Sequence, residues 1–426
     1  MIHPNWKPSK IFYGWWVVGA CFFIWLIESG FIILGFTAFF EPIANELGWS
    51  YTQISFASSL RGMEAGMLAP FLGLVVDRWG PRRLIFGGIV VTSIGLILFS
   101  YTTSLVMFYG AFTLLAIGLS GSSPTVTITA VAYWFRKKLG LVTGIVTSGF
   151  ALGGLIVPIV VRLIDILDWR TTIFILGLLI LAIGLPLSLL IRHKPEKYGY
   201  LPDGEQNNTV TLHEDLMPIQ TTRGDIGAMQ ALTSRTFWQI GLTVTFLHLA
   251  VSSVTLHVMP YLSSVGISRS TSSLVVMSIP LVSIIGRLGS GWLGDKFDKK
   301  QVTYACLALT SLGLLFFNYL SNEVMWLLVP FIILFGIGWG GTSTIRMALL
   351  MEYFGKNRFG TIMGFTMAMA SIGNILGPLF AGWVFDNWGS YNNVWLVLAC
   401  FTFTAIILIK RIPMLGTNRN KSFTVE

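Results

Sequence analysis

Twelve apolar runs, each near the length of a membrane-spanning helix, constrain this chain more than any other feature. They cover roughly residues 14–40, 51–76, 84–103, 105–132, 140–164, 171–191, 236–261, 271–294, 302–320, 324–350, 361–385 and 394–410. About 20 apolar residues cross a bilayer as an α-helix. In lipid a helix satisfies each backbone N–H and C=O within its own segment, so this pattern predicts an all-α membrane protein with twelve transmembrane helices. The charge content agrees, with 11% of residues charged and 54% hydrophobic, against about 25% charged in a soluble domain. Tyr13, Trp15 and Trp16 open the first run, where aromatic rings favour the lipid–water interface.

The formal charge of +9 would suit nucleic acid if it formed a patch. Instead the cations sit in short loops beside apolar runs, which excludes a nucleic-acid partner and orients the chain against lipid. Lys7, Lys10, Arg78, Arg82, Arg83, Arg136, Lys137, Lys138, Lys296, Lys299, Lys300, Lys356 and Arg358 fall at the N-terminus and in alternate loops. The opposite loops hold only Arg162, Arg170 and Arg269. Positive residues stay on the cytoplasmic side, so both termini are expected inside. Residues 192–235 form the one long polar stretch, read as a cytoplasmic linker with a short surface helix near 223–232. It separates a six-helix bundle over 1–191 from a second over 236–426 with its cytoplasmic tail. Cys21, Cys306 and Cys400 lie in apolar runs, so neither a disulfide framework nor a metal site is expected. The polar N-terminus shows no signal-peptide pattern.

The two bundles repeat each other. Gly73-Leu-Val-Val-Asp77-Arg78-Trp-Gly80-Pro-Arg82-Arg83 follows the second run. Gly291-Trp-Leu-Gly-Asp295-Lys296-Phe-Asp298 follows the eighth with the same Gly-to-Asp spacing and a cation next. Gly144, Gly153 and Pro158 recur as Gly364, Gly373 and Pro378, each set after a Phe and a basic loop (Phe135-Arg-Lys-Lys and Phe354-Gly-Lys-Asn-Arg). Helices 1–6 therefore repeat as helices 7–12. The shared glycines are expected to let neighbouring backbones approach closely. The prolines weaken the helix where it must bend.

Twelve helices, a six-plus-six repeat and a paired G-x-x-x-D-[RK] loop resemble the major facilitator superfamily over the whole chain except linker and tails. The second loop departs from that family's pattern, with Asp298 where Gly is usual. Tyr-Gly-Trp-Trp-Val-Val at the start of helix 1 and Gly-Arg287-x-x-x-Gly-x-x-x-Asp in helix 8 are similar to bacterial monocarboxylate transporters and oxalate/formate-type antiporters. The resemblance implies a bacterial cytoplasmic (inner) membrane. It also implies transport by alternating access, with Gly73, Asp77, Arg78, Gly80, Arg82, Arg83, Gly291, Asp295 and Lys296 acting as a cytoplasmic gate.

Ionisable groups within the bilayer are costly and usually face a cavity or a partner. Arg287 lies eight residues before Asp295, about 12 Å above the inner boundary at 1.5 Å per residue. No acid shares its helix face, which leaves its guanidinium for an external carboxylate, although a purely structural arginine is the alternative. The resemblance implies the same role, since monocarboxylate transporters use an arginine at this place. Ser283 and Leu34 stand where the human type carries an acid and a lysine, so that type's coupling scheme does not transfer. Arg61 and Glu64 share one face of helix 2, and Glu28 on helix 1 reaches a similar depth. The three form either a structural lock or a proton-coupling group with Glu28 or Glu64 as the proton site. Arg346 is either paired with Glu352 or the Asp295 loop, or contacts substrate. His248, His257 and Asn374 offer hydrogen bonds on helices 7 and 11.

No phosphate-binding loop and no nucleophile constellation occurs, so no enzyme, cofactor or metal is expected and gradients must drive transport. The reading is a monomeric secondary transporter of a small organic anion, a monocarboxylate, by proton symport. Its substrate ligands are drawn from Arg287, Arg61, Arg346, His248 and Asn374. An oxalate/formate-type exchanger and an efflux pump for amphipathic compounds are the alternatives.

Overall fold

The computed structural model describes residues 12–135, 138–193, 195–198, 200–201, 203, 232–354, 359–391 and 393–413, with side chains for all of these but 64–71, 73, 74, 77, 197 and 359–361. The side chains of Glu64 and Asp77 therefore lie outside the described residues, as do Gly73, the basic loop residues Arg136, Lys137, Lys356 and Arg358, and almost all of the surface helix expected near 223–232.

Every regular element among the described residues is helical. The helices are α1 (Gly14–Leu47), α2 (Tyr51–Trp79), α3 (Pro81–Ser100), α4 (Leu105–Ala132), α5 (Leu139–Leu167), α6 (Trp169–Leu190), α7 (Arg235–Ser264), α8 (Arg269–Lys296), α9 (Lys299–Asn318), α10 (Met325–Phe354), α11 (Phe359–Trp388) and α12 (Val394–Lys410). Ten are long and apolar enough to cross a membrane. Of the other two, α2 runs for 29 residues and α12 is a shorter apolar helix of 17.

Local chemistry sets the ends. Ser50 caps α2 through the Gln53 N–H at 3.2 Å, and Gln53 returns the bond to the Ser50 N–H at 3.0 Å, a reciprocal capping box. Gly80 ends α2 at φ 80°, a conformation that favours glycine, and Pro81 opens α3, where a missing N–H costs nothing. In the second repeat, Asp298 occupies the place of Gly80. It keeps a negative φ and instead accepts the Lys300 N–H at 2.7 Å. The departure from the family pattern thus exchanges a backbone solution for a side-chain cap.

Two compact units appear. One comprises residues 1–215 with Arg269–Met277, the other Leu216–Ser268 with Ser278–Glu426. In the first, α1 packs on α5 and α6, and α3 on α4 and α6. In the second, α7 packs on α11 and α12, and α9 on α10 and α12. The pairings are the same with every number raised by six.

The glycines make the crossings close only in part. A Cβ at Gly153 would lie 2.7 Å from the Leu26 carbonyl and one at Gly373 would lie 2.3 Å from the Thr245 carbonyl, so glycine is required where α5 meets α1 and α11 meets α7. Gly144 and Gly364 have nothing within 4 Å of such a Cβ. The close approach expected of that pair is absent. The prolines differ as well. Pro158 follows a 3₁₀ turn at Gly154–Ile156 that interrupts α5, whereas α11 runs unbroken through Pro378.

Two breaks in the first unit were not expected. A π-turn, Ser29–Ile33, interrupts α1 directly after Glu28. The run through α4 breaks at Ser122–Ser123 before Pro124.

Candidate functional site

In the second unit, α7 and α11 bring His248 and Asn374 together. His248 Nδ1 lies 3.2 Å from Asn374 Oδ1. A carbonyl oxygen only accepts, so the ring donates from Nδ1 and keeps a lone pair on Nε2. The contact follows from Gly373, whose missing side chain lets the His248 Cβ within 3.1 Å of the glycine's own Cβ direction. Arg346 stands on α10 of the same unit. Arg346 is 9% exposed, and its Nε has no hydrogen-bond partner. The ion pair considered for it with Glu352 is not formed, because Glu352 pairs with Lys299 at 3.0 Å. No carboxylate compensates Arg346 among the described residues.

Arg287 on α8 is half-buried, and its Nε is likewise without a partner. Its neighbour explains the Gly-Arg pair. A Cβ at Gly286 would meet the Ile337 carbonyl at 2.2 Å, and one at Gly340 would meet the Ser283 carbonyl at 2.0 Å. Here α8 and α10 touch backbone to backbone, which fixes where Arg287 and Arg346 leave their helices. Ser283, standing where the human type carries an acid, donates to the Pro280 carbonyl at 2.6 Å and adds no charge. Four helices of one unit therefore present a neutral His–Asn pair and two guanidinium groups that no carboxylate compensates among the described residues. That combination suits a small anion.

His257, one face further along α7, is engaged at both nitrogens. Nε2 donates to the Pro378 carbonyl at 3.0 Å, and Nδ1 accepts from the Tyr391 hydroxyl at 2.8 Å. It ties α7 to the Pro378 carbonyl within α11 and is fully buried, the arrangement of a structural residue.

In the first unit, Glu28 is 6% exposed. Its Oε1 accepts from the Ser122 hydroxyl at 2.6 Å, and the Trp25 indole donates to the Ser122 carbonyl at 3.1 Å. Ser29 donates to the Phe150 carbonyl at 2.7 Å, fastening the π-turn to α5. Of the Glu28–Arg61–Glu64 group considered from sequence, Glu28 and Arg61 make no ion pair with each other among the described residues. Glu28 bonds to Ser122 instead, Arg61 Nη1 is buried without a partner, and the Glu64 side chain lies outside the described residues. Ser122 and Trp25 were missed by sequence reasoning. The available signal was Ser120-Gly-Ser-Ser-Pro124 within an otherwise apolar run, a composition that breaks helices.

Of the remaining positions, Arg78, Arg82, Arg83, Asp295 and Lys296 are exposed at helix ends. Lys296 Nζ rests 4.0 Å over the Trp292 ring. Among the described residues no three His, Cys, Asp or Glu side chains gather as a metal site would require.

Comparison with known proteins adds the family. The profile of the Major Facilitator Superfamily matches residues 18–366 and 241–423. Monocarboxylate transporter 12 of Mus musculus is 26% identical over 421 residues, covering 94% of this chain and 86% of that protein. Monocarboxylate transporter 13 of Bos taurus is 24% identical over 93% of this chain and 88% of its own length. Among solved structures, a bacterial homologue of the human lysosomal transporter Spinster in an inward-facing, occupied conformation superposes with a TM-score of 0.73 at 16% identity, over 94% of this chain and 97% of that one. The nucleoside transporter NupG superposes with a TM-score of 0.75 at 14% identity, over 94% and 99%. The fold and relatives are those of transporters rather than enzymes, and the chain, an integral multi-pass membrane protein, belongs to the Major Facilitator Superfamily.

Proposed function

We propose that this membrane transporter carries a small organic anion, a monocarboxylate, together with a proton, by alternating access. The observation that carries the reading is Arg346, 9% exposed and without a compensating carboxylate among the described residues, in the same unit as the His248–Asn374 pair. An isolated buried cation is costly unless a ligand neutralises it. Arg287 supplies a second guanidinium from α8. The names of the curated relatives support a monocarboxylate as the class. Glu28 is the proton site in this reading, as the buried carboxyl beside the α1 π-turn, a helix irregularity frequent at functional sites. Arg61 and Glu64 stay as supporting members of the two sets. The cation distribution supports both termini in the cytoplasm and the Asp77 and Asp295 loops as the inner gate. The motifs that resemble bacterial transporters support a bacterial inner membrane, with the protein acting as a monomer.

The test is uptake of radiolabelled lactate, acetate and oxalate into proteoliposomes with and without an inward proton gradient. Accumulation of a monocarboxylate driven by the gradient alone is expected. A second reading, anion exchange of the oxalate/formate type, is favoured by the presence of two uncompensated arginines in one unit. It predicts uptake that needs an anion preloaded inside and ignores the proton gradient.

A further inference from the structure

One buried polar contact of the first unit is a hydroxyl poised between two acceptors. Ser122 Oγ lies 2.6 Å from Glu28 Oε1 and 3.3 Å from the Leu119 carbonyl of its own helix. A serine hydroxyl has one proton, so it donates to one of these at a time. The same turn of α1 also holds the Ser122 backbone, because the Trp25 indole donates to the Ser122 carbonyl at 3.1 Å. Ser122 is also the residue at which the first half of α4 ends, two positions before Pro124 restarts the helix without an N–H.

We propose that Ser122 is a positioning residue that reads the protonation of Glu28 and relays it to the break in α4; the inference rests on Glu28 being the proton site. With Glu28 ionised, the hydroxyl donates to the carboxylate. When a proton binds, the carboxyl O–H becomes the donor and Ser122 Oγ the acceptor. The serine proton then turns to the Leu119 carbonyl, one turn back in the same helix. No bond is broken beyond hydrogen bonds, and the one added proton stays on the carboxyl. The exchange changes how the last turn of the first half of α4 is tied down, at the point where that helix has the fewest backbone bonds of its own.

Among the described residues no other ionisable group bonds to Glu28 or to the Ser122 hydroxyl. Among the described side chains of the elements packed against α1, the titratable residues are Tyr51, Arg61 and Arg78 on α2, Tyr109 on α4, Arg162 and Asp165 on α5, and Arg170 on α6. Arg170 is held by Glu46 at 2.8 Å and by the Ser100 and Thr102 carbonyls, and Tyr109 donates to the Gln53 carbonyl. Arg162 and Asp165 lie nine and twelve residues beyond Gly153, about 13 Å or more along α5 from the crossing with α1. On α1 itself Cys21 precedes Glu28 by seven residues, about 10 Å. Arg61, on α2, makes no bond to Glu28 among the described residues.

The experiment is pH-difference infrared spectroscopy of the purified full-length protein in lipid, which follows the C=O band of a protonated carboxyl without needing a substrate. The parent should show a titrating band that Glu28→Gln removes. Ser122→Ala withdraws the donor from the ionised form, so the band should appear at higher pH, by about one unit, the tenfold change expected at the low end for a hydrogen bond to a charged group. Ser122→Thr keeps the hydroxyl and should restore the parent midpoint. An unchanged midpoint in Ser122→Ala, with the band still lost in Glu28→Gln, overturns the role of Ser122 and leaves Glu28 as the proton site. A titrating band that survives Glu28→Gln unchanged overturns both. Correct folding of each variant is judged by its elution as a single species and by its thermal unfolding.

Discussion

At the scale of residues, the two arginines of the second unit separate a ligand site from a structural one. A buried arginine in an ion pair holds a protein together, and removing it leaves its acid exposed in a poor environment. Arg346 has no such acid among the described residues. Arg346→Met, of similar length and uncharged, is therefore expected to leave the unliganded melting temperature unchanged or higher, and to abolish the upward shift that a bound carboxylate gives the parent. Thermal shift with and without lactate checks both halves of that statement. Arg287→Lys keeps the charge but loses the planar fork, and should weaken carboxylate binding by about 1.5–3 kcal/mol, read from the ligand concentration at half-shift. His257 should behave in the opposite way. His257→Phe leaves the Pro378 carbonyl and the Tyr391 hydroxyl without their ring partner, so it should lower stability by about 1–3 kcal/mol while the affinity for a carboxylate holds. These roles were only half legible in the sequence. Depth along a helix placed Arg287, Arg346 and Glu28 inside the bilayer, because helical rise is constant. Partner choice was not legible, because it depends on which helices touch and on which face. Glu28 accordingly faces Ser122 on α4 rather than Arg61.

Helices carry the next set of expectations. Gly373 and Gly364 look alike as repeated glycines, yet one faces a backbone carbonyl at 2.3 Å and the other faces open space. Gly373→Ala should separate α7 from α11, lower the melting temperature and weaken anion binding through His248 and Asn374. Gly364→Ala should leave both unchanged, since alanine also has the better intrinsic helix propensity. The pair of melting curves decides the matter without any assumption about transport. The sequence could mark a glycine as permissive but could not say what approached it. The same limit explains the π-turn in α1. In α1 it is the packing of Gly30 against the Gly153 carbonyl and the bond from Ser29 to Phe150 that hold the irregular turn, whereas the α4 break had a signal in Ser120-Gly-Ser-Ser-Pro124. The helix ends, by contrast, could be read directly, because capping residues act within a few positions of themselves, as Ser50 with Gln53 and Asp298 with Lys300 show.

For the whole molecule, the repeat makes each unit carry one polar constellation at the same crossing. Ser29, next to Glu28, packs on Gly153, and His248 packs on Gly373. The first unit's constellation is acidic and suits a proton. The second is cationic and suits an anion. Protonation of the first lowers the negative charge within the protein, so anion and proton should bind cooperatively and each should raise the affinity for the other. The proposed proton symport requires that coupling, whereas an exchanger requires none. The most direct measurement is the external pH of a weakly buffered suspension of proteoliposomes when lactate is added outside. The account predicts an immediate lactate-dependent alkalinisation as protons enter with the anion, abolished in Glu28→Gln and in Arg346→Met. Lactate entry at the parental rate with no pH change, or only when an anion has been loaded inside, would contradict it.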